Sequence, residues 1–352
     1  MIKVLIVDDS AFNRKILSEI LKSVDDIEII GTAYDGEDAI RQIAKQKPDV
    51  ITLDLEMPKM DGFTFLRWLM ATSPLPVIVV SAKEADENVF KALELGAMDF
   101  IPKPSSYPSM KLKEIHHLLI EKVLAARYAK LSTPKIKPAK AHYPPEAKVQ
   151  KIETPTDYLV AIGASTGGPQ AIQYILSNLS PEFIIPIVIA QHMPAAFTPL
   201  FAERLNKATH MTVKEAENEE TIKANHAYIC PGGKHTIVER KGSHTRMLHQ
   251  EKNNNDKYIP SINRLFESAS QVYADRTVAA ILTGMGDDGR DGIIMIKDKG
   301  GKVIAESPDS AVVFGMPREA IKTGKIDQIF HLDKIPHFLS HLSEQLRKNN
   351  IK

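Results

Sequence analysis

Two doubly wound α/β domains with mainly parallel sheets, joined by a Pro/Lys-rich linker, are predicted by three features of the 352-residue sequence. Short apolar, β-rich runs alternate with stretches of helical length whose apolar residues recur three and four apart. This rhythm runs twice, over residues 1–128 and 157–352, and stops over 129–156. Polar residues follow the apolar runs at once, where the carboxyl ends of parallel strands would line one edge of a sheet.

In the first domain the expected strands are Lys3 to Val7, Glu28 to Ala33, Val50 to Leu53, Val77 to Val80 and Asp99 to Ile101. Helical spacing lies between them, as in Ile16, Ile20 and Leu21, or Phe63, Leu66 and Leu69. Asp8 and Asp9 follow the first run, Asp54 the third, Ser81 the fourth and Lys103 the fifth. Taken singly, an acid here is an ordinary helix cap and a lysine an ordinary solvated residue. Taken together they are more specific. Three carboxylates brought close repel one another unless a cation joins them, and a hard ion such as magnesium takes oxygen ligands. Ser81 would donate to a phosphoryl oxygen, Lys103 would neutralise its charge, and Asp54 would be the nucleophile.

The ordered segments DDS, LDLEMPKMDG, VVSA and FIPKP make this domain resemble, over its whole length, the receiver domain of two-component response regulators. The resemblance implies that Asp54 takes a phosphoryl group from a histidine kinase, with Asp9, Asp54 and the backbone carbonyl of Glu56 holding Mg2+. Asp8 would complete the acidic pocket, and the Lys103–Pro104 bond would be cis, a form that proline tolerates.

From about Leu131 to Thr156 the hydrophobic rhythm gives way to Pro134, Pro138, Pro144, Pro145 and Pro155 among lysines and alanines, which is linker composition. Aromatic interleaving is confined to Tyr143, so a solvated spacer fits better than a nucleic-acid contact. As a flexible coil it would span about 25 to 30 Å.

In the second domain three apolar runs each end on a chemically useful residue: Tyr158 to Ile162 before GASTGG, Pro186 to Ala190 before QHMP, and Val278 to Leu282 before TGMGDDG. Pro169 to Leu179 reads as a helix with Ile172, Ile175, Leu176 and Leu179 on one face. A glycine-rich strand-to-helix turn serves either a dinucleotide phosphate or a nucleophilic serine. A dinucleotide site favours an acid at the end of the next strand, but here that strand ends in Gln191 and His192. Ser165, His192 and Asp288 would supply a nucleophile, a base and an orienting carboxylate for acyl transfer, although His192 by itself also reads as a packing or surface residue and Asp288 as part of an ordinary turn or phosphate-binding loop. GASTG also fits the GxSxG elbow of α/β-hydrolases, but the chain order Ser, His, Asp is not theirs.

GASTGG, QHMP with FTPLFAERLN, VKEAE, HAYICPG, AAILTGMGDDG and VVFGMPREAI run in the order of the chemotaxis protein-glutamate methylesterases, which this domain closely resembles over about residues 158–323. The resemblance implies a Rossmann-like catalytic domain with Ser165 as nucleophile, His192 as general base and acid, and Asp288 as orienting carboxylate. The Met285 amide, with that of Thr166, would form the oxyanion hole. It implies methylated chemoreceptor cytoplasmic domains as substrate, receptor glutamines as a second target for deamidation, and no cofactor for ester hydrolysis. Two departures stand out. Ile259, Pro260, Ser261, Ile262 and Asn263 replace the family's frequent Arg-Pro-Ser-Val-Asp stretch, which bears on substrate docking. Asp287 replaces a common asparagine, so two adjacent acids compete for the orienting role, and Asp288 is chosen because it stands before glycine.

Composition narrows the remaining classes. A net charge of +1 argues against a broad grip on nucleic acid, and no basic recognition helix is apparent. One cysteine, Cys230, excludes an internal disulfide and fits a reducing cytosol. No run approaches the roughly 20 apolar residues of a membrane span. A cytoplasmic protein that is not membrane-embedded is expected.

Overall fold

Buried runs of Val, Ile, Leu and Ala form most of the strands of two parallel sheets, because a strand covered by helices on both faces has no polar side. The computed structural model describes residues 1–81, 87–103, 109–130, 157–253 and 255–349. The chain divides into two compact units, Met1–Thr133 and Pro134–Lys352.

The first unit runs β1 (Ile2–Val7), α1 (Ala11–Lys22), β2 (Ile27–Ala33), α2 (Gly36–Lys45), β3 (Val50–Leu53), α3 (Gly62–Thr72), β4 (Val77–Ser81), α4 (Glu87–Glu94), β5 (Asp99–Pro102) and α5 (Ser109–Ala126). Asp35 and Asp61 fix where α2 and α3 begin, their carboxylates accepting the amides of Asp38 and Thr64 at 2.7 Å. The strands lie in the order β2-β1-β3-β4-β5, each pair parallel. The order reverses between β1 and β3, which opens a crevice at their carboxyl ends.

The second unit begins with β6 (Leu159–Ala164), α6 (Gly168–Ser177), β7 (Ile187–Gln191), α7 (Thr198–Ala208), β8 (Thr212–Glu215) and β9 (His226–Ile229). A hairpin of β10 (Lys234–Lys241) and β11 (His244–Glu251) follows, then α8 (Ile262–Tyr273), β12 (Thr277–Ile281), α9 (Arg290–Asp298), β13 (Lys302–Glu306), α10 (Met316–Lys322), β14 (Gln328–Phe330) and α11 (Ile335–Asn349). Seven strands form one sheet in the order β14-β13-β12-β6-β7-β9-β8, parallel throughout. β6 lies at its reversal point, flanked by β12 and β7. The hairpin is antiparallel and stands apart from this sheet. It lays Val238 and Met247 into a core shared with Phe266 and Ala269 of α8.

The expected strands and α6 agree with the structure to within about two residues; β6, for example, is Leu159–Ala164 rather than Tyr158 to Ile162. The linker from residue 131 to 156, with Tyr143, lies outside the described residues, as does Pro104 and hence the expected cis bond after Lys103.

Candidate active site

In the second unit Ser165 and His192 leave neighbouring strands that end in step. Ala164 of β6 and Gln191 of β7 are register partners, so Ser165 and His192 leave adjacent strand ends side by side, where backbones run roughly 5 Å apart. The His192 amide donates to the Ala164 carbonyl at 3.0 Å. The Gln191 side-chain amide donates to the carbonyls of Ser165 (2.9 Å) and His192 (3.0 Å), tying the two loops together. On the other side of β6, the loop after β12 accepts the Ser165 amide at the Thr283 carbonyl, 3.0 Å away. Gly284 of that loop passes so near that a Cβ there would lie 2.7 Å from the Ser165 Cβ. The turn itself needs Gly167, whose φ of +78° starts α6, and the first amide of that helix, Gly168, donates back to the Ser165 carbonyl at 2.8 Å.

The imidazole of His192 presents Nε2 to Asp288 Oδ2 at 2.9 Å, with its side chain 11% exposed. That leaves Nδ1 on the other edge of the ring. Asp288 is buried, and its carboxylate also takes the amides of Ile262 (2.8 Å), Asn263 (2.9 Å) and Gly289 (3.0 Å). Two of these are first-turn amides of α8, whose N-cap is Ser261, so a helix terminus faces the negative charge. Burial pushes the Asp288 pKa up, but the bonds from His192, Ile262 and Asn263 outweigh it and hold the group below its ordinary value.

Asp287 turns elsewhere, pairing at 2.9 Å with both Lys257 Nζ and the Tyr258 hydroxyl. Of the two competing acids, only Asp288 meets the histidine. Asn263 Oδ1 accepts the Gly292 amide at 2.8 Å, so this departure from the family pattern fastens α8 to α9. Thr166 is buried beside Ser165, and its carbonyl accepts the Thr283 hydroxyl at 2.8 Å. Met285 is held from the preceding residue, since the Gly284 amide donates to Val313 at 3.0 Å while its carbonyl accepts Gly315 and Met316 at 3.1 and 2.8 Å.

Three participants escape a reading by sequence. Gln191 was visible at a strand end, but its clamp was not. Tyr258 stacks on His192, ring centroids 5.1 Å apart and planes 3° from parallel. Glu306, fully buried at the end of β13, accepts the Thr283 amide at 2.8 Å and the Ser310 hydroxyl at 2.9 Å. Burial pushes its pKa up to about 7 against these two bonds. Its position one strand beyond Thr283 was the only signal available.

In the first unit Asp8, Asp9, Asp54, Ser81 and Lys103 gather at the carboxyl ends of β1, β3, β4 and β5. Lys103 Nζ lies 2.5 Å from Asp54 Oδ2 and 3.3 Å from Asp8 Oδ2. Asp54 is buried, which pushes its pKa up to about 6 even though Lys103 and the Glu56 amide pull it down. Burial alone would lower the Lys103 pKa, but Asp54 and Asp8 together raise it. One carboxylate oxygen from each of Asp8, Asp9 and Asp54 lies within 4.8 Å of the others, a hard, anionic donor set that fits a divalent cation. Glu56 lies two residues past Asp54 and donates its amide to Asp54 Oδ1 at 3.2 Å. Ser81 is buried at the end of β4, its carbonyl accepting the Lys103 amide at 2.6 Å.

The family model described as CheB methylesterase matches residues 160–339, and that of the response regulator receiver domain matches residues 4–114. A protein-glutamate methylesterase/protein-glutamine glutaminase 1 of Myxococcus xanthus is 42% identical over 347 residues, 99% of each chain. A protein-glutamate methylesterase/protein-glutamine glutaminase of Halalkalibacterium halodurans is 45% identical over 338 residues, 95% of this chain and 96% of its own. Among solved structures, the CheB methylesterase catalytic domain of Thermotoga maritima matches 53% of this chain and 99% of its own at 38% identity and a TM-score of 0.52.

Proposed function

This chain belongs to the CheB methylesterase family, with a receiver domain in its first unit, and from that we propose a phosphorylation-activated serine esterase. It hydrolyses glutamate methyl esters on methylated chemoreceptor cytoplasmic domains to glutamate and methanol, and deamidates receptor glutamines, in chemotaxis adaptation. The observation that carries the reading is the His192–Asp288 bond of 2.9 Å beside Ser165 at a neighbouring strand end.

Ser165 Oγ attacks the ester carbonyl carbon as His192 takes its proton. The tetrahedral intermediate collapses, the C–O bond to methoxide breaks, and His192 returns the proton so that methanol leaves. Water then attacks the acyl-enzyme, giving a proton to His192, and the glutamate carboxylate departs as Ser165 regains its hydrogen. Asp288 orients the imidazole and stabilises its cation. The amides of Thr166 and Met285 donate to the oxyanion, each such donor being worth about 3 kcal/mol. A glutamine side chain follows the same course and releases ammonia.

In the receiver, Asp54 is the phosphoryl acceptor from a chemotaxis histidine kinase, and Ser81 and Lys103 receive the phosphoryl oxygens. Asp8, Asp9, Asp54 and the Glu56 carbonyl would hold Mg2+, which neutralises phosphoryl charge when bound. We partition the chain as receiver 1–128, linker 129–156 and catalytic domain 157–352, and place it in the cytoplasm. No helix among the described residues is long and apolar enough to cross a membrane.

The test incubates the full chain with methyl-labelled receptor cytoplasmic domain, with and without a small-molecule phosphodonor, and follows released methanol. Release should rise with phosphodonor and vanish in Ser165→Ala. Undiminished release from Ser165→Ala would remove the nucleophile.

A further inference from the structure

The geometry points to Tyr258 as a positioning residue that holds the His192 ring from its face while Asp288 holds it from its edge, an inference that rests on the esterase reading above. The hydrogen bond at Nε2 fixes one atom of the imidazole but leaves the ring free to rock about the Nε2–Oδ2 axis. The Tyr258 ring, 5.1 Å away and 3° from parallel, blocks that motion on one face. Its spacing is that of an offset stack. When the imidazole takes the serine proton it becomes a cation, and an aromatic face then attracts it further. Both effects favour the proton-transfer step over substrate binding, so they belong to kcat.

The tyrosine is itself anchored to the loop that bears Asp288. Its hydroxyl donates to Asp287 Oδ1 at 2.9 Å and accepts the Asp287 amide at 3.4 Å. Gly286, at φ +94°, makes room for it, since a Cβ there would lie 2.2 Å from the hydroxyl oxygen. Lys257 completes the anchor, its ammonium 2.9 Å from Asp287 Oδ1 and 4.6 Å from the Tyr258 ring centroid. Neighbouring acids thus divide the work: Asp288 binds the imidazole directly, and Asp287 binds the ring stacked on it.

The test uses the full chain and two readouts: kcat and KM for methanol release from methylated receptor fragment, and the rate at which a fluorophosphonate, losing fluoride, phosphonylates Ser165. Tyr258→Leu should lower kcat and the phosphonylation rate roughly tenfold with KM changed less than about twofold. Tyr258→Phe, which keeps the aromatic face, should stay within about threefold of wild type. Asp287→Asn, at an exposed position, should fall similarly modestly because only the anchor is loosened. Wild-type phosphonylation of Tyr258→Leu, a loss confined to KM, or equal losses in the Phe and Leu variants would each overturn the inference. An Asp287→Asn chain at full kcat would break the link from loop to ring. A wild-type chain that is not labelled at Ser165 at all would overturn the esterase reading, and this inference with it.

Discussion

At the scale of single residues, Glu306 makes the sharpest stability prediction. Its pKa is pushed from an ordinary 4.5 to about 7 by complete burial, against the bonds from Thr283 and Ser310. A carboxyl whose pKa is raised by folding binds more protons folded than unfolded between those values. Stability therefore falls as pH rises from about 4.5 to about 7 and levels off above, a loss of order 3 kcal/mol. Glu306→Gln keeps an acceptor for the Thr283 amide and cannot ionise. Melting temperatures at pH 5 and pH 8 should therefore lie closer together in the variant than in the wild type, and an equal spread would refute the assignment. Ser165, His192 and Asp288 were legible beforehand because each is a polar residue just past a buried run. Glu306 also ends a strand, but nothing in the order of residues says that it reaches across to Thr283. Tyr258 follows no strand of the parallel sheet, and nothing in the order of residues sets its ring against His192.

Among the elements, the start of α8 does the most for the site. Its first amides fix Asp288, and the hairpin fixes that start. The His235 ring, buried on β10, accepts the Ser261 amide at Nδ1 (3.1 Å) and donates from Nε2 to Asp256 (2.9 Å). Arg264 Nη2, one helical turn on, reaches the other oxygen of Asp256 at 2.6 Å. Removing the imidazole leaves a part-buried amide without its acceptor, which costs about 1 to 3 kcal/mol, and frees the helix start that carries the cradle. His235→Ala should therefore lower the denaturant midpoint and also reduce kcat by about tenfold or more, as a tilt of Asp288 misaligns His192. A full midpoint loss with unchanged kcat would show that the hairpin serves stability alone. Sequence patterning revealed β6, β7 and β12 because strands covered on both faces read as unbroken apolar runs. It passed over the hairpin because KHTIVERK and HTRMLHQE carry polar residues on an open face, with burial changing along each strand. The same hairpin supplies the support that a list of catalytic residues omits.

Over the whole molecule, each unit has its own sheet, core and polar crevice, so chemistry at Asp54 and chemistry at Ser165 need not share a side chain. Control by phosphorylation is then a free-energy coupling between two states of the chain, in one of which phosphorylation and catalysis are favoured together. The unphosphorylated receiver would hold the chain in the less active state, and charge added at Asp54 would release that restraint. Couplings of this kind are typically about 1 to 3 kcal/mol, or roughly 5- to 150-fold in an equilibrium. A fragment of residues 157–352 carries none of the restraint and should release methanol faster than the unphosphorylated full chain by a factor in that range. An Asp54→Asn full chain should stay at the slow rate whether or not phosphodonor is present. The fragment keeps its own seven-stranded sheet and hydrophobic core, so it should fold on its own. If the fragment were no faster than the resting full chain, the receiver would have to act by promoting catalysis, and the sign of the coupling would reverse.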